Sequence, residues 1–425
     1  MHGTLAALCV AASLAPAAAL AQPSTAAPAR LSLSAAVARA VARNPSAEVA
    51  RAEVRRAEAL VEAARAASLP TLTANAVYTR LDDDRVLSGR VIAGADQLAA
   101  NVTLTVPIVA PQRWAQWSHA RDNAASARAS ASESRWLVAA ATARAWLTAL
   151  AQRRSIESLA RARDAARAHR DFAAARFEGG VGNRVDVVRA GQELAVTEAQ
   201  LQSALAGVAR AREALGVLLG ADDAVDVDEA AAELTAPSEA AALASAGESR
   251  PDVLSARARS EAAGRVLRDS WVDYLPTLTG VAQPFYQNPP TLTQPLTGWQ
   301  AQVVLSLPLY DGGLRYGARR EREALAEESR LQLEAATRQA RADVRAAAAA
   351  VRQADLALDA ARDAARLADE TLTLAQEAYR GGTSTNLEVI DAERRARDAA
   401  TAVVVAEDAA RQGRLELILA SGRLP

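Results

Sequence analysis

At positions 379–392 the chain reads Y-R-G-G-T-S-T-N-L-E-V-I-D-A, and at 177–190 it reads F-E-G-G-V-G-N-R-V-D-V-V-R-A. Each phrase sets an aromatic residue before a Gly-Gly pair, then a polar step and a new amphipathic run. Gly-Gly supplies the left-handed conformations that end a helix. Asn183 with Asp186 three residues on, and Thr385 with Glu388, have the capping-box pattern that begins one. Each phrase is therefore the apex of a helical hairpin. Gly381 follows Gly179 by 202 positions (381 − 179), close to half of the 425 residues, so the question is how far the duplication extends.

It extends outward on both sides. Pro45 is matched by Pro251, S-L-P-T-L-T at 68–73 by Y-L-P-T-L-T at 274–279, and V-T-L-T-V-P at 102–107 by V-L-S-L-P-L at 304–309. Four anchors in one order at nearly constant offset describe two copies of one unit: helix, strand, strand, long helix, turn, helix. Residues 112–178 contain neither proline nor glycine, and 314–380 contain only Gly317. At 1.5 Å per residue each stretch makes one helix of about 100 Å. In the second, Val344, Val351, Leu358, Ala365, Leu372 and Tyr379 repeat at heptad spacing, with Ala340, Ala347, Ala354, Ala361, Ala368 and Ala375 at the other seam position. Alanine there lets helix axes approach closely.

Pro70 and Pro276 stop the incoming helices, because the residue before proline is driven out of the α region. Alternation follows. Leu72, Ala74, Ala76 and Tyr78 share one face; Val102, Leu104 and Val106 share another; so do Trp299, Ala301, Val303, Leu305 and Leu307. On periodicity alone a half-buried soluble sheet is the simpler reading, but strands of this length with one apolar and one polar face also suit a transmembrane barrel. Four strands are too few to close a pore, and a lipid-exposed sheet admits no open edge, so several chains would have to share one barrel.

Composition narrows the function. The formal net charge is −1, so nothing points to a nucleic-acid partner. Half the residues are apolar while only 4% are aromatic, a balance for long, closely packed helices. The opening M-H-G-T-L-A-A-L-C-V-A-A-S-L-A-P-A-A-A-L-A-Q has the apolar run and small-x-small ending of a secretory signal over 1–21, cut before Gln22. Cys9, the one cysteine, would leave with it, so neither disulfide nor cysteine metal site is expected. His119 and His169 each stand without a second ligand nearby, and no nucleophile elbow, phosphate loop or zinc motif is present, so no catalysis, metal or cofactor is expected. The segment 221–240 opens with A-D-D-A-V-D-V-D-E and reads as a solvated acidic linker between a first repeat (22–220) and a second (241–425).

Taken together, L-S-L-S-A-A-V-A-R-A-V-A-R-N-P at 31–45, the doubled L-P-T-L-T, the strand-ending prolines and R-F-E-G-G-V-G-N-R-V-D-V-V-R-A-G-Q at 176–192 resemble the outer-membrane efflux protein family, the TolC-like channels. The resemblance covers essentially everything after the signal. It implies a mostly α fold with a small membrane β-barrel portion: a homotrimer whose four strands per protomer build twelve in the outer-membrane lipid of a Gram-negative bacterium. Its helices would form a periplasmic α-barrel that docks a periplasmic adaptor protein and exports what an inner-membrane transporter delivers. Carried over residue by residue, the docking apices comprise Arg176, Phe177, Gly180, Asn183, Asp186, Val187 and Val188, and Tyr379, Gly382, Thr385, Leu387, Glu388, Val389 and Ile390. Phe177 departs from the family's usual tyrosine. Asp369 and Glu370 are candidate aperture charges, with solvated helix-face charges as the plainer alternative. The competing reading is a periplasmic coiled-coil adaptor or structural protein, which should carry one hairpin flanked by small β-domains.

Overall fold

The computed structural model describes residues 30–228, 234–290 and 294–424. The expected signal 1–21, with Cys9, lies outside them, as does 229–233 of the acidic segment. The first repeat runs β1 (Arg30–Leu31), α1 (Leu33–Arg43), α2 (Pro45–Ala66), β2 (Thr71–Arg80), β3 (Arg85–Leu87), β4 (Arg90–Ala93), β5 (Asp96–Val109), α3 (Pro111–Glu178) and α4 (Arg184–Leu218). After β6 (Asp226–Val227), the second runs α5 (Glu239–Ser249), α6 (Pro251–Arg268), a 3₁₀ turn (Asp269–Tyr274), β7 (Thr277–Asn288), β8 (Thr297–Ser306), α7 (Leu314–Arg380) and α8 (Asn386–Ala420).

The paired helix starts have local causes. Ser32 and Ser238 cap α1 and α5, each accepting from a backbone N–H three residues on. Asn44 accepts from Ser46 N at 2.9 Å and donates to the Leu218 carbonyl at 2.9 Å, fastening the α1–α2 corner to the end of α4. Pro45 and Pro251 sit at the first turn, where their missing N–H costs nothing.

The long helices α3 and α7, 68 and 67 residues, are the two full-length rods. On the strand side α2 packs on α3, α3 on α6 and α6 on α7; on the hairpin side α4 packs on α3, α3 on α8 and α8 on α7. Ala340, Val344, Ala347, Leu358 and Tyr379 of the expected α7 seam are buried. Charges bind the two repeats together along their flanks, as in Arg144–Glu416 (2.5 and 2.8 Å) and Arg154–Glu407 (2.5 Å).

The bulkiest core lies midway, where Trp146, Leu147 and Leu150 of α3 meet Leu33 and Val37 of α1, Leu215 and Leu219 of the α4 end, and Leu415 and Leu419 of α8. The Trp146 indole N–H donates to the Leu31 carbonyl at 2.9 Å, as a buried indole requires. Here the linker expectation needs correction. Val225, Asp226 and Val227 are buried, β6 pairs in parallel with β1, and Arg212 binds the Asp226 carboxylate at 2.8 and 3.2 Å. The acidic composition hid two valines and an aspartate that serve as a clasp over the central core.

The sheet has the antiparallel order β2-β5-β7-β8, with β2 and β8 at its edges. Its register places the apolar residues of neighbouring strands opposite one another: Leu72 with Leu104, Leu104 with Ala282, Ala282 with Ala301, and Gly280 with Val303. One apolar face therefore continues across all four strands, and Leu72 and Val303 on it are both 70% exposed within the chain. The other face is amide-rich: Asn75 donates to Asn101 at 3.4 Å and Gln300 to Gln283 at 2.5 Å. Two details differ from the sequence reading. The first inter-strand loop carries the β3–β4 hairpin, and β8 ends at Ser306, before Leu307.

Candidate functional site

The turns that end α3 and α7 share the same three backbone bonds. At the end of α3, Gly179 N donates to the Ala175 carbonyl, Gly180 N to Phe177 and Val181 N to Arg176, at 2.9, 3.1 and 3.0 Å. At the end of α7, Gly381, Gly382 and Thr383 donate to Glu377, Tyr379 and Ala378 at 2.9, 3.2 and 2.9 Å. Gly180 and Gly382 take φ of +73° and +77°, where a Cβ is disfavoured. The return helices are capped as expected only in part. Asn183 accepts from Val185 N at 3.1 Å and Thr385 from Glu388 N at 3.4 Å. The reciprocal carboxylate bond is replaced at the second apex by Glu388 accepting from the Ser384 hydroxyl, so neither apex completes a capping box among the described residues.

The two apices differ in exposure. On the first, Phe177, Val181, Val185 and Val188 stand out to solvent, with Arg176, Asp186 and Val187 half-buried. On the second, Leu387 and Glu388 are exposed while Tyr379, Val389 and Ile390 are buried beneath them. Arg176 crosses from one apex to the other: its guanidinium lies 4.7 Å from the Tyr379 ring centre and donates to the Tyr379 carbonyl at 3.2 Å. Asp369 and Glu370 are exposed on α7, Asp369 twelve residues or about 18 Å before Gly381.

Beneath the apices lies a polar cluster that the sequence reading passed over. His169 of α3, which the sequence presents as a lone histidine on an Arg-rich helix, is buried against Asn386 of α8, Nε2 to Oδ1 2.8 Å. Glu193 of α4 is buried and held by Arg394 at 2.6 Å and by Arg397. Glu393 of α8 is buried beside them, and its two oxygens have no hydrogen-bond partner. Burial and the Glu193 charge push the Glu393 carboxyl up to about 7, against the pull of Arg397. Burial draws the His169 imidazole below its ordinary range, against Asn386 and Asp186. A cavity of about 500 Å³ adjoins the cluster, lined among others by Ala166, Glu193, Asp369, Leu372, Glu393 and Arg397. The available signal was heptad phase: Ala190, Glu193, Thr197 and Leu201 form one buried seam of α4, so Glu193 occupies a core position. No group of three or more potential metal ligands occurs among the described residues.

A family model described as outer membrane efflux protein matches residues 18–221 and 242–423. No curated protein sequence matches the chain. Among solved structures, the outer membrane protein VceC from Vibrio cholerae aligns at TM-score 0.77 with 22% identity, covering 92% of this chain and 96% of that one. The CmeC outer membrane channel of Campylobacter jejuni aligns at 0.78 with 16% identity, covering 92% and 85%. The open state of the Neisseria gonorrhoeae MtrE outer membrane channel aligns at 0.77 with 21% identity, covering 92% and 89%. All three share the fold of long helices with a small sheet at one end.

Proposed function

The chain belongs to the outer membrane efflux protein family, and from that premise we propose that three copies close one twelve-stranded barrel in the outer membrane above a shared helical tube. Through it passes cargo that an inner-membrane pump delivers and a periplasmic adaptor couples. The observation that carries this reading is the four-stranded sheet, apolar on one face and amide-rich on the other, with β2 and β8 at its edges. In lipid an open edge leaves backbone N–H and C=O groups without partners, so β8 of one copy pairs with β2 of the next. The amide face then lines the lumen and the apolar face meets hydrocarbon.

The other end is the docking end. Phe177, Val188, Leu387 and Glu388 offer the adaptor an exposed apolar and acidic surface, while Tyr379, Val389 and Ile390 support it from within. Asn183, Thr385, Gly180 and Gly382 fix the backbone of the two turns. Arg176 and Asp186 bridge the apices, and Asp369 and Glu370 supply charge to the aperture that three sets of hairpins enclose. Two hairpins, each preceded by a strand pair, argue against the adaptor alternative, which needs only one.

Photo-cross-linkers placed at Val188 and Leu387 in intact cells test the docking assignment. They are expected to capture one periplasmic adaptor, and reversal of Asp186 or Glu388 to arginine is expected to weaken that capture while trimers still form. Absence of any adaptor adduct, with capture and export unchanged in both reversals, contradicts it.

A further inference from the structure

Three helices bring titratable groups together just below the apices. His169 of α3 and Glu393 of α8 are each 8% exposed, and Glu193 of α4 is 2% exposed. Glu193 is matched by Arg394 and Arg397. Glu393 is not matched, since neither of its oxygens accepts a hydrogen bond. An ionised carboxylate buried without donors is a costly arrangement.

The bond directions around His169 show where a proton belongs. The Asn386 side chain donates through Nδ2 to the Asp186 carbonyl at 3.4 Å, which leaves its Oδ1 as the acceptor facing His169 Nε2. Nε2 therefore carries hydrogen. In a neutral imidazole Nδ1 is then a lone pair, and it faces Glu393 Oε1 at 3.7 Å. A protonated Glu393 can donate to it after a small turn of the carboxyl; equally, a proton on Nδ1 pairs an imidazolium with a carboxylate. In both forms one proton sits between the two residues. Once it is gone, a lone pair and a carboxylate oppose each other beside Glu193.

We propose that the His169–Glu393 pair is a proton-dependent latch that fastens α3 of the first repeat to α8 of the second at the hairpin end and lets go when its proton leaves. The groups facing the pair are Asp186 and Glu193 from α4, Arg394 and Arg397 from α8, and the Tyr379 ring of α7, 6.0 Å from the imidazole. Arg161, Arg366 and Asp369 line the adjoining cavity. Glu393 is raised from 4.5 to about 7 in the folded protein, so the folded tip holds the proton more tightly than the unfolded chain does. Its contribution is full at low pH and is lost as the pH rises towards and through about 7. The pair shares its titration, so the transition belongs to both residues.

The latch rests on the channel reading for its place at the closing end of a tube, but its test needs no adaptor. Hydrogen–deuterium exchange is measured on the detergent-extracted full-length protein between pH 6 and pH 8 and corrected for intrinsic rates. Wild-type peptides spanning 165–175 and 386–397 are expected to lose protection by about tenfold, with a midpoint near 7. Peptides around Trp146 should not change. Glu393→Gln, which keeps the shape and removes the titration, should abolish the response, and His169→Gln should displace its midpoint. Equal protection at both pH values in the wild type, or an unaltered response in Glu393→Gln, overturns the latch. If Glu393→Gln does not assemble, the wild-type midpoint and His169→Gln decide. Failure to extract an oligomer at all counts against the channel reading; an oligomer with a pH-indifferent tip counts against the latch alone.

Discussion

The Arg176 guanidinium stacks 4.7 Å above the Tyr379 ring and hydrogen-bonds the Tyr379 carbonyl at 3.2 Å, joining the last turns of two helices that belong to different repeats. Phe172 meets the same ring edge-on at 5.9 Å. Quasi-equivalent hairpins are thereby held by a contact that is itself asymmetric, since the first apex has Phe177 where the second has Tyr379.

Removal of this bridge should be measurable. Arg176→Ala loses both the cation–π contact and a hydrogen bond, about 1–2 kcal/mol together. Tyr379→Phe keeps the ring and the carbonyl and should cost far less. Exchange protection of residues 377–390 in the two variants separates these outcomes; equal losses would remove the bridge from the account.

The turns discriminate between two glycines. A Cβ on Gly182 would stand 2.7 Å from the Phe177 backbone nitrogen, so Gly182→Ala should open the first apex and expose it to protease. A Cβ on Gly180 would meet nothing within 4 Å, and that position is constrained only by its φ of +73°. Gly180→Ala should therefore cost about 1–2 kcal/mol and keep the turn. Limited proteolysis, with mass spectrometry of the cut sites, checks the order.

The buried ion cluster makes a signed prediction. Arg397→Met leaves the buried Glu193 carboxylate with only the half-exposed Arg394 and should destabilise the tip by up to about 3 kcal/mol, because the buried charge is then only partly compensated. Adding Glu193→Gln removes that charge and should restore most of the loss. A double variant no more stable than the single one would show that packing, not charge, sets the cost.

What was legible in the sequence was whatever repeats or punctuates. Proline and glycine placed the ends of α3 and α7 almost to the residue, and the period-two alternation of Leu72, Ala74, Ala76 and Tyr78 falls within β2. The parts that escaped depend on distant partners. Asp226 looked like one more solvated acid until β1 and Arg212 closed over it. His169 looked solitary because Asn386 and Glu393 arrive from more than two hundred residues away. Thr385 and Asn183 announced their caps, but which N–H each would take depends on turn geometry that spacing does not encode.

The two faces of the sheet should respond oppositely to charge. Val303→Arg, on the apolar face, sets a cation against hydrocarbon and should lower assembly by about 2–4 kcal/mol. Gln302→Arg, its neighbour on the amide face, should assemble normally and alter conductance instead. Bilayer recordings and outer-membrane yields of the pair check this, and a reversed order would mean the faces are assigned the wrong way round.

Native mass spectrometry of the protein released from detergent micelles tests subunit number most directly. Three chains per particle, recovered from the outer-membrane fraction and dissociating only on heating, is the result that a sheet completed by its sister copies requires. A single chain that stays dispersed in plain buffer, with β2 and β8 unpaired, contradicts it.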